Sequence, residues 1–420
     1  MLAPEQAEAV RAAIAALRSA AAGSGKDPAR VIAALQKAAL ILSDAREPIA
    51  IELRRALQQE TGLSMPMIEW GLLTSLSSLR HAPLTELADT IPRDAPREVI
   101  GVVLAGNVFV AAVRGLAMPL LTGAHVIAKT STREGAFARA FRDALEQADP
   151  TVAARLAVVH FTREDEQATR ALCTGVDALS VYGSDETVEQ LRRVCEDTRP
   201  RAALTERITA RRPPRIIAHG HGLSAAYVAR SALSSKEEAA RTAERVALDI
   251  SAYDQQGCLS PHFVLVEPGG AIDPHAFAQL LAAEALPALA QLLPAAEPTL
   301  HEQAERLQWQ AAAAIRGELY VHATHAVSFE EAPLRPSPGG RQVSVYACTN
   351  LQELLAPFAL HLKCIGVAGT KAERAAITDL VQRFCSAQTC RSGEMQSPRF
   401  DAWADGAPPL AGLFRNESAR

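Results

Sequence analysis

One stretch in the first third of the chain constrains the fold more than any other. Val102–Leu104 is an apolar strand, and Ala105-Gly106-Asn107 forms the turn that leaves it. Ala111–Leu121 has helical spacing, and Thr122-Gly123 ends that helix before a second apolar strand at Val126–Ala128. This order predicts a βαβ unit, in which the loops at the carboxyl ends of the strands usually bind ligands.

Asn107 and Lys129 stand at those two strand ends. Asn107 could cap the following helix, which is the ordinary role of an asparagine there, or present its amide N–H groups to an oxyanion. Lys129 ends an otherwise apolar strand, where a lysine is usually just solvated. The hydroxyl residues that follow it, from Thr130 to Thr132, also fit a phosphate or ribose partner. The residues alone leave both pairs of alternatives open.

A second informative segment surrounds Cys258, which follows Gly257 and precedes the apolar run 263–266. Glycine lets a substrate approach the backbone closely, and a cysteine thiolate is a good nucleophile. Cys258 at this position is therefore a candidate nucleophile. The alternative is that Cys258 is a small buried hydrophobic residue, as most free cysteines are.

The order of apolar strands and helices predicts an α/β fold. Residues 1 to about 90 are helical by pattern, with breaks at Gly23-Ser24-Gly25, Ser43-Asp44 and Thr61-Gly62. After them come strands at Val99–Leu104, Val126–Ala128, Leu156–Val159, Ala178–Tyr182 and Arg215–Ala218. This alternation predicts a parallel sheet with helices on both faces. Further strands are expected at Ala225–Val228, Phe263–Val266, Leu319–Ala326, Val343–Tyr346 and Ile365–Ala368.

Composition narrows the class of protein. With 48% hydrophobic residues, 21% charged residues and a net charge of −4, the chain has the balance of a globular enzyme and no basic excess for nucleic acid. Its histidines and cysteines show no zinc spacing, so we expect no metal. Seven cysteines, an odd number, favour a reducing cytoplasm over disulfides. We expect neither a signal peptide nor a membrane span, because no segment has the required apolar run.

The chain resembles the aldehyde dehydrogenase superfamily and, within it, the acyl-CoA reductases of the bacterial bioluminescence type, the LuxC family. The similar segments, in the family's order, are LAGNV (104–108), LLTGAHVIAKTST (120–132), SVYGSDETV (180–188), YDQQGCLSPH (253–262) and GEMQSPRFDAWADG (393–406). They extend over roughly residues 95 to 415. The resemblance implies an aldehyde-dehydrogenase-like fold, with a Rossmann-type cofactor domain and an α/β catalytic domain after a helical N-terminal region.

The expected domain organisation follows from the resemblance and the strand pattern. Residues 1–96 form the helical N-terminal region, and residues 97–222 form the domain that binds the nicotinamide dinucleotide. Residues 223–390 form the catalytic domain that carries Cys258. The proline-spaced tail, 391–420, is expected at a domain or subunit interface, since the resemblance implies a homo-oligomer.

The resemblance also implies two catalytic roles. Cys258 looks like the acyl-accepting nucleophile, and Asn107 looks like the side-chain half of an oxyanion hole completed by the Cys258 backbone N–H. Aldehyde-oxidising relatives activate a hydrolytic water with a glutamate, but the comparable stretch here, Ile217–Gly222, has no carboxylate. Their Glu-x-Phe-Gly-Pro segment, which holds the nicotinamide ribose, is replaced by a Pro/Gly loop at Pro333–Arg341.

Cofactor contacts are implied in the same way. Lys129 is similar to the lysine that holds the adenosine ribose. Gly183 and Ser184 resemble the turn that opens a helix beside the cofactor pyrophosphate, where free N–H groups favour an anion.

The positions after Lys129 bear on the choice of cofactor. NAD-preferring relatives often place a carboxylate two or three residues past this lysine. Here Thr130 and Ser131 offer hydroxyls and Arg133 offers a cation. These groups favour the 2′-phosphate of NADPH, with NADH not excluded.

The function implied is NAD(P)H-dependent reduction of an acyl thioester to an aldehyde. The donor is expected to be an acyl-CoA, with a fatty chain, or an acyl-carrier thioester supplied by an acyltransferase or acyl-activating partner protein. Two alternatives remain: a cysteine-dependent acyltransferase or thioesterase that uses no nicotinamide, and a non-catalytic scaffold relative. His219, His221 and His262 are expected to be structural, although either of the first two would tune the thiol if it lay near Cys258.

Overall fold

The structure, a computed structural model, describes residues 3–23, 27–93, 95–197, 213–220, 222–331, 333–404 and 406–414. Two β-sheets, each covered by helices, form the body of the protein. Within these ranges, every helix is too short or too polar to cross a membrane.

The N-terminal region is helical, as the pattern predicts. Its helices are α1 Ala3–Gly23, α2 Pro28–Ser43, α3 Pro48–Thr61, α4 Met65–His81 and α5 Leu84–Asp89. Asp27 caps α2 by accepting the Arg30 N–H, and Gly62 ends α3 in the left-handed conformation at φ 71°. The predicted breaks at Ser43-Asp44 and Thr61-Gly62 coincide with the ends of α2 and α3, whereas Ser24 and Gly25 of the first predicted break lie outside the described residues.

The first sheet contains five parallel strands in the order β3-β2-β1-β4-β5. The strands are β1 Val99–Val103, β2 His125–Lys129, β3 Leu156–Val159, β4 Ala178–Tyr182 and β5 Arg215–His219. The accompanying helices are α6 Ala111–Leu121, α7 Ala136–Ala148, α8 Pro150–Ala153, α9 Glu166–Gly175 and α10 Asp185–Asp197. The predicted βαβ unit is β1-α6-β2, and its register places Val103 beside Lys129. The loops that follow these two strands therefore leave the same edge of the sheet.

The second sheet contains seven strands in the order β12-β11-β6-β7-β10-β9-β8, and β8 and β9 pair antiparallel while the others are parallel. The strands are β6 Leu223–Val228, β7 Pro261–Val266, β8 Gly317–Val321, β9 Ala326–Glu330, β10 Gln342–Ala347, β11 Leu362–Ala368 and β12 Gln388–Arg391. The accompanying helices are α11 Lys236–Ser251, α12 Pro274–Leu280, α13 Leu286–Leu292, α14 Leu300–Arg316, α15 Leu351–Leu355 and α16 Lys371–Phe384.

The predicted single strand Leu319–Ala326 is wrong. It spans the end of β8, a tight turn and the first residue of β9, and the turn is closed by the His322 N–H, which donates to the His325 carbonyl at 2.9 Å. No glycine or proline marks this turn in the sequence, so the apolar pattern runs through it. The short edge strand β12 is also absent from the prediction.

The N-terminal helices share a core with the first sheet instead of forming a separate body. Helix α2 packs on α7, while α1 packs on α9 across the sheet, so helices cover both faces. The last described segment returns to the same core, because Phe400, Leu410 and Leu413 are buried there. The changeover between sheets falls between His219 and Leu223. The domain boundaries given above remain a prediction.

Two glutamates anchor the loop between Lys129, the last residue of β2, and the start of α7. Glu60 on α3 accepts the N–H groups of Gly135 and Ala136 at 2.8 and 3.0 Å, and Glu134 accepts the Phe137 N–H at 2.8 Å. Glu134 is only 3% exposed. Burial raises the pKa of its carboxyl to about 7, the Phe137 N–H opposes this rise, and the nearby Glu60 carboxylate adds to it.

This buried acid predicts a pH dependence of stability. Between about pH 4.5 and 7, the folded state keeps a proton that the unfolded state has lost, so the free energy of unfolding falls as pH rises through that window. We expect Glu134→Gln to reduce this pH-dependent loss of the free energy of unfolding by up to about 3 kcal/mol. The measurement is urea unfolding at a series of pH values between about 4.5 and 7. The exposed Glu146→Gln on the same helix is the control, and equal pH profiles for Glu134→Gln and the unmodified protein would contradict the assignment.

Candidate active site

A cleft of about 970 Å³ lies where the loops after β1, β2, β4 and β5 meet the segment before β7. Its walls include most of the side chains that the sequence marks as functional, namely Asn107, Lys129, Ser131, Gly183, Ser184, His219, Cys258 and His262. Residues from both sheets therefore face one space. Thr130 is not among the lining residues.

Cys258 follows a turn of unusual backbone conformation. Tyr253, Asp254 and Gln255 all have positive φ values, of 52°, 51° and 62°, although none is glycine. Cys258 itself is exposed, and its carbonyl accepts the Ser224 hydroxyl at 2.7 Å. The alternative of a buried, inert cysteine therefore does not describe Cys258.

Asn107 is tied directly to the cysteine segment. Its Nδ2 donates to the Gln256 carbonyl at 2.8 Å, two residues before Cys258. Val110, and not Asn107, is the cap residue of α6, so the helix-cap alternative does not hold. A side-chain amide carries two N–H groups. One is held by Gln256, and the second has no partner among the described residues.

Gly106 explains how the Asn107 loop reaches its place. A Cβ atom at this position would collide with the Ser131 side chain and lie 3.0 Å from the Arg133 Cβ. The loops after β1 and β2 can therefore touch only because residue 106 is glycine.

Lys129 lies at the other end of the cleft, half-buried, with its ammonium 5.4 Å from the centre of the Phe161 ring. Burial lowers the pKa of Lys129, and Glu164 opposes this shift. Thr130 points elsewhere: it is fully buried, and its hydroxyl is 2.9 Å from His160 Nδ1. This placement gives no support to the expected cofactor contact of Thr130.

Ser131, Thr132 and Arg133 do line the cleft, with the last two exposed. On the opposite wall, the Ser184 hydroxyl accepts the Thr187 N–H at 3.2 Å and so caps α10, and Gly183 lies beside it. The first turn of α10 already contains two carboxylates, which weaken the positive end of the helix dipole for an anion.

The three histidines have different surroundings. His219 lines the cleft, and its ring stacks on Tyr182 with centroids 4.3 Å apart. His262 also lines it, but its Nδ1 donates to the Ser337 carbonyl at 2.8 Å, which fixes the ring. His221 lies outside the described residues.

Among the described residues that line the cleft, Glu302 is the single carboxylate. Its Oε2 accepts the backbone N–H and the hydroxyl of Thr299 at 2.7 and 2.9 Å, in the capping box of α14. Burial raises the pKa of Glu302, but the Thr299 donors and nearby arginines outweigh it, so the pKa lies below its usual value. An occupied, weakly basic carboxylate is poorly suited to deprotonate water.

The segment after β12 closes the remaining side. Asp249 accepts the N–H groups of Gly393 and Met395 at 2.6 and 3.0 Å, and Arg114 donates to the carbonyls of Arg399 and Ala402 at 3.0 and 2.8 Å. Burial raises the pKa of Asp249 to about 7, against the effect of the two N–H donors. These anchors hold residues 396–404 at the cleft wall.

The sequence prediction does not include several of the residues that shape the cleft. Phe161 could have been identified, because it follows β3 and Val159 of that strand pairs with Lys129 in the sheet. Ser224, Asp254 and Arg341 carry no local signal, since each acts on a residue distant in sequence.

A family model described as "Acyl-CoA reductase (LuxC)" matches residues 74–416. This match confirms the resemblance drawn from the motifs. No curated protein sequence is significantly similar to this chain.

Many solved structures share the fold. A gamma-glutamyl-gamma-aminobutyraldehyde dehydrogenase from Burkholderia cenocepacia J2315 is 18% identical with a TM-score of 0.69, covering 97% of this chain and 87% of its own. The aldehyde dehydrogenase KauB from Pseudomonas aeruginosa is 16% identical with a TM-score of 0.70, covering 98% and 88%. The P. syringae indole-3-acetaldehyde dehydrogenase AldA, a mutant solved with NAD+ and IAA, is 17% identical with a TM-score of 0.70, covering 98% and 88%. These likenesses confirm the predicted aldehyde-dehydrogenase-like α/β fold.

The exposure of the thiols predicts their order of reaction. Cys258 is exposed, whereas the other cysteines are half-buried (Cys385, Cys390) or buried (Cys173, Cys195, Cys348, Cys364). We expect one equivalent of iodoacetamide to modify Cys258 first, as mapped by peptide mass spectrometry, and the fast phase to vanish in Cys258→Ser. First labelling of Cys385 or Cys390 would contradict this order.

Proposed function

Since this chain belongs to the acyl-CoA reductase (LuxC) family, we propose that it reduces an acyl thioester to an aldehyde through an acyl group held on Cys258. Family and fold together make it an oxidoreductase enzyme of aldehyde chemistry. One observation carries the finer proposal: the Asn107 amide is hydrogen-bonded to the Gln256 carbonyl, two residues before the exposed Cys258. A nucleophile and a donor for the developing oxyanion thus stand side by side.

In the proposed first step, the Cys258 thiolate attacks the thioester carbonyl carbon, and a carbon–sulfur bond forms. The free N–H of Asn107 and the backbone N–H of Cys258 stabilise the tetrahedral oxyanion. Its collapse breaks the original carbon–sulfur bond and releases the thiolate of CoA or of a carrier. Exchange between sulfurs of similar basicity needs no strong base.

The cleft also fits a dinucleotide at its other end, where the half-buried Lys129 ammonium projects beside Phe161. We assign Lys129 and Ser131 to the adenosine ribose, and Gly183 and Ser184 to the pyrophosphate side. When bound, a reduced nicotinamide supplies the hydride that converts the acyl group into the aldehyde.

NADPH is the favoured cofactor in this proposal, with NADH as the alternative. The exposed Arg133 lines the cleft close to Ser131, whose hydroxyl accepts the Arg133 N–H at 3.1 Å. A guanidinium at this point suits a 2′-phosphate. The assignment leaves out Thr130, whose hydroxyl is directed to His160.

The donor and the partners are also proposals. The family implies an acyl-CoA, with a fatty chain, or an acyl-carrier thioester, supplied by an acyltransferase or acyl-activating protein. A homo-oligomer and a cytoplasmic location are inferred from the resemblance and from the cysteine count, respectively.

The catalytic assignment predicts the behaviour of two variants. Cys258→Ala should abolish the acyl adduct seen by intact-protein mass spectrometry after mixing with a fatty acyl-CoA, and with it aldehyde formation. Asn107→Asp, which keeps the size but loses the N–H donors, should slow adduct formation by about a hundredfold. Cys385→Ala is the matched control for the loss of a thiol. An adduct on Cys258→Ala would refute the nucleophile.

The occupied Glu302 predicts how the acyl group leaves. General-base assistance is typically worth about 10²–10⁴-fold, and no free carboxylate lines the described part of the cleft to provide it. We expect the acyl group on Cys258 to decay slowly alone and rapidly when NADPH is added, with NADH as a second arm. Equal, fast decay with and without a reduced cofactor would favour the thioesterase alternative.

A further inference from the structure

The turn before Cys258 is held by a buried ion pair that the proposed chemistry has not yet used. Asp254 Oδ1 accepts Arg341 Nε at 2.8 Å, and the second guanidinium nitrogen lies 2.7 Å from the same oxygen. The Arg341 and Asp254 side chains are 1% and 4% exposed. The hydrogen bond from Nε and the close ion-pair contact of the second nitrogen converge on one carboxylate oxygen and fix the orientation of both partners.

The remaining polar atoms of Asp254 are also occupied. Its Oδ2 accepts the Ala296 N–H at 2.9 Å, and its backbone carbonyl accepts the Gly340 N–H at 3.0 Å. Arg341 in turn donates to the Leu293 carbonyl at 2.8 Å. Three separate segments of the chain are therefore joined at one residue, four positions before Cys258.

The neighbouring residues of the turn are held as firmly. Gln255 Nε2 donates to the carbonyls of Pro261 and Gln342 at 2.8 and 2.9 Å, the first residues of the neighbouring strands β7 and β10. Tyr253 is fully buried, and its ring meets Phe109 edge-on with centroids 6.0 Å apart. Phe109 lies two residues after Asn107, so the same turn supports both the thiol and the amide.

This anchoring matters because the turn is strained. A non-glycine residue in the left-handed region is disfavoured because its Cβ crowds the following carbonyl oxygen, and three such residues occur in succession here. Without its contacts the turn would relax toward negative φ values and redirect the residues that follow. Strain of this kind persists only where the surroundings over-determine it.

The position of Arg341 accounts for the Pro/Gly loop that replaces the relatives' Glu-x-Phe-Gly-Pro segment. Gly339 has φ 85°, and a Cβ atom there would lie 3.3 Å from the Gln255 carbonyl oxygen. Gly340 and Arg341 have φ values of 63° and 62°. Gly339 therefore lets the loop pass close to the cysteine turn, and the loop brings Arg341 into the pair.

We propose that Asp254 and Arg341 are positioning residues, whose buried ion pair holds the left-handed turn and thereby aims the Cys258 thiol at a carbonyl whose oxygen faces the Asn107 donor. The inference rests on the proposed function, because it takes Cys258 as the nucleophile. It assigns to the loop 333–341 a role in acyl transfer rather than in holding the nicotinamide ribose.

Two altered proteins test the assignment. Arg341→Lys keeps the charge but loses the guanidinium hydrogen bonds to Asp254 and Leu293. The variant should fold, but it should form the acyl adduct about tenfold or more slowly than the unmodified protein. The double variant Asp254→Asn, Arg341→Met leaves no unpaired buried charge, so its Tm should recover while adduct formation stays slow. The KM for NADPH should not change in either.

The readouts separate positioning from a loss of stability. Iodoacetamide needs only an accessible thiolate, so its rate at Cys258 should change much less than the rate of acyl transfer in both variants. The ion pair between Arg316 at the end of α14 and Glu330 on β9 gives matched controls, Arg316→Lys and the double variant Glu330→Gln, Arg316→Met. These controls should lower Tm without slowing acyl transfer.

Each outcome bears on the proposal. Acyl transfer at the unmodified rate in folded Arg341→Lys, or equal slowing in the Arg316 controls, would overturn it. If the double variant does not fold, Arg341→Lys alone decides. Failure of the proposed function is seen separately: the unmodified protein would form no acyl adduct or no aldehyde, or Cys258→Ala would still form both.

Discussion

The hydrogen bond between Asn107 and the Gln256 carbonyl joins the two sheets where the chemistry is proposed. This bond can form because of where the loop of each partner lies in its own sheet. The loop after β1 leaves the carboxyl edge of the first sheet, and the cysteine turn enters β7 from the amino edge of the second. Gly106 lets the loop after β1 approach the loop after β2, and Arg114 on α6 anchors the tail segment at the same cleft.

The protein concentrates backbone strain at this junction and offsets it with buried contacts. Each side chain of the left-handed turn is held by a distant segment: Asp254 pairs with Arg341, the buried Tyr253 ring packs on Phe109, and Gln255 donates to acceptors at Ser337 and Gln342. Gly71 on α4 fits the same pattern, because a Cβ there would lie 2.9 Å from the Tyr253 ring. The helical region, the first sheet and the Pro/Gly loop thus converge on a few residues. Such pre-organisation is the usual way to hold a nucleophile in a reactive geometry.

The sequence predicts the framework well and the supports of the site poorly. Buried parallel strands are continuous apolar runs, so β1 to β5 and the positions of Asn107, Lys129 and Cys258 at loop ends could be read directly. The β8–β9 hairpin could not, because its turn lacks glycine and proline. The pairing of Asp254 with Arg341 spans 87 residues, and a left-handed turn built from Tyr, Asp and Gln gives no local signal. Thr130 illustrates a position whose sequence context is misleading. It follows Lys129, which suggested a ligand contact, but its side chain alternates with that of Lys129 and is buried in the interior.

The distribution of carboxylates links the fold to the choice between hydrolysis and reduction. In this chain, the acidic groups near the cleft serve structure: Glu302 caps α14, Asp249 holds the tail and Asp254 holds Arg341. At the described positions of the stretch 217–222, whose sequence contains no carboxylate, the ring of His219 stacks on Tyr182. Glu302 shows the consequence: its carboxylate accepts the two Thr299 donors and its pKa lies below the usual value, so it is a weak base toward water. Under the proposed function, a thioester on Cys258 therefore waits for a hydride donor, because the one carboxylate that lines the described part of the cleft is already committed.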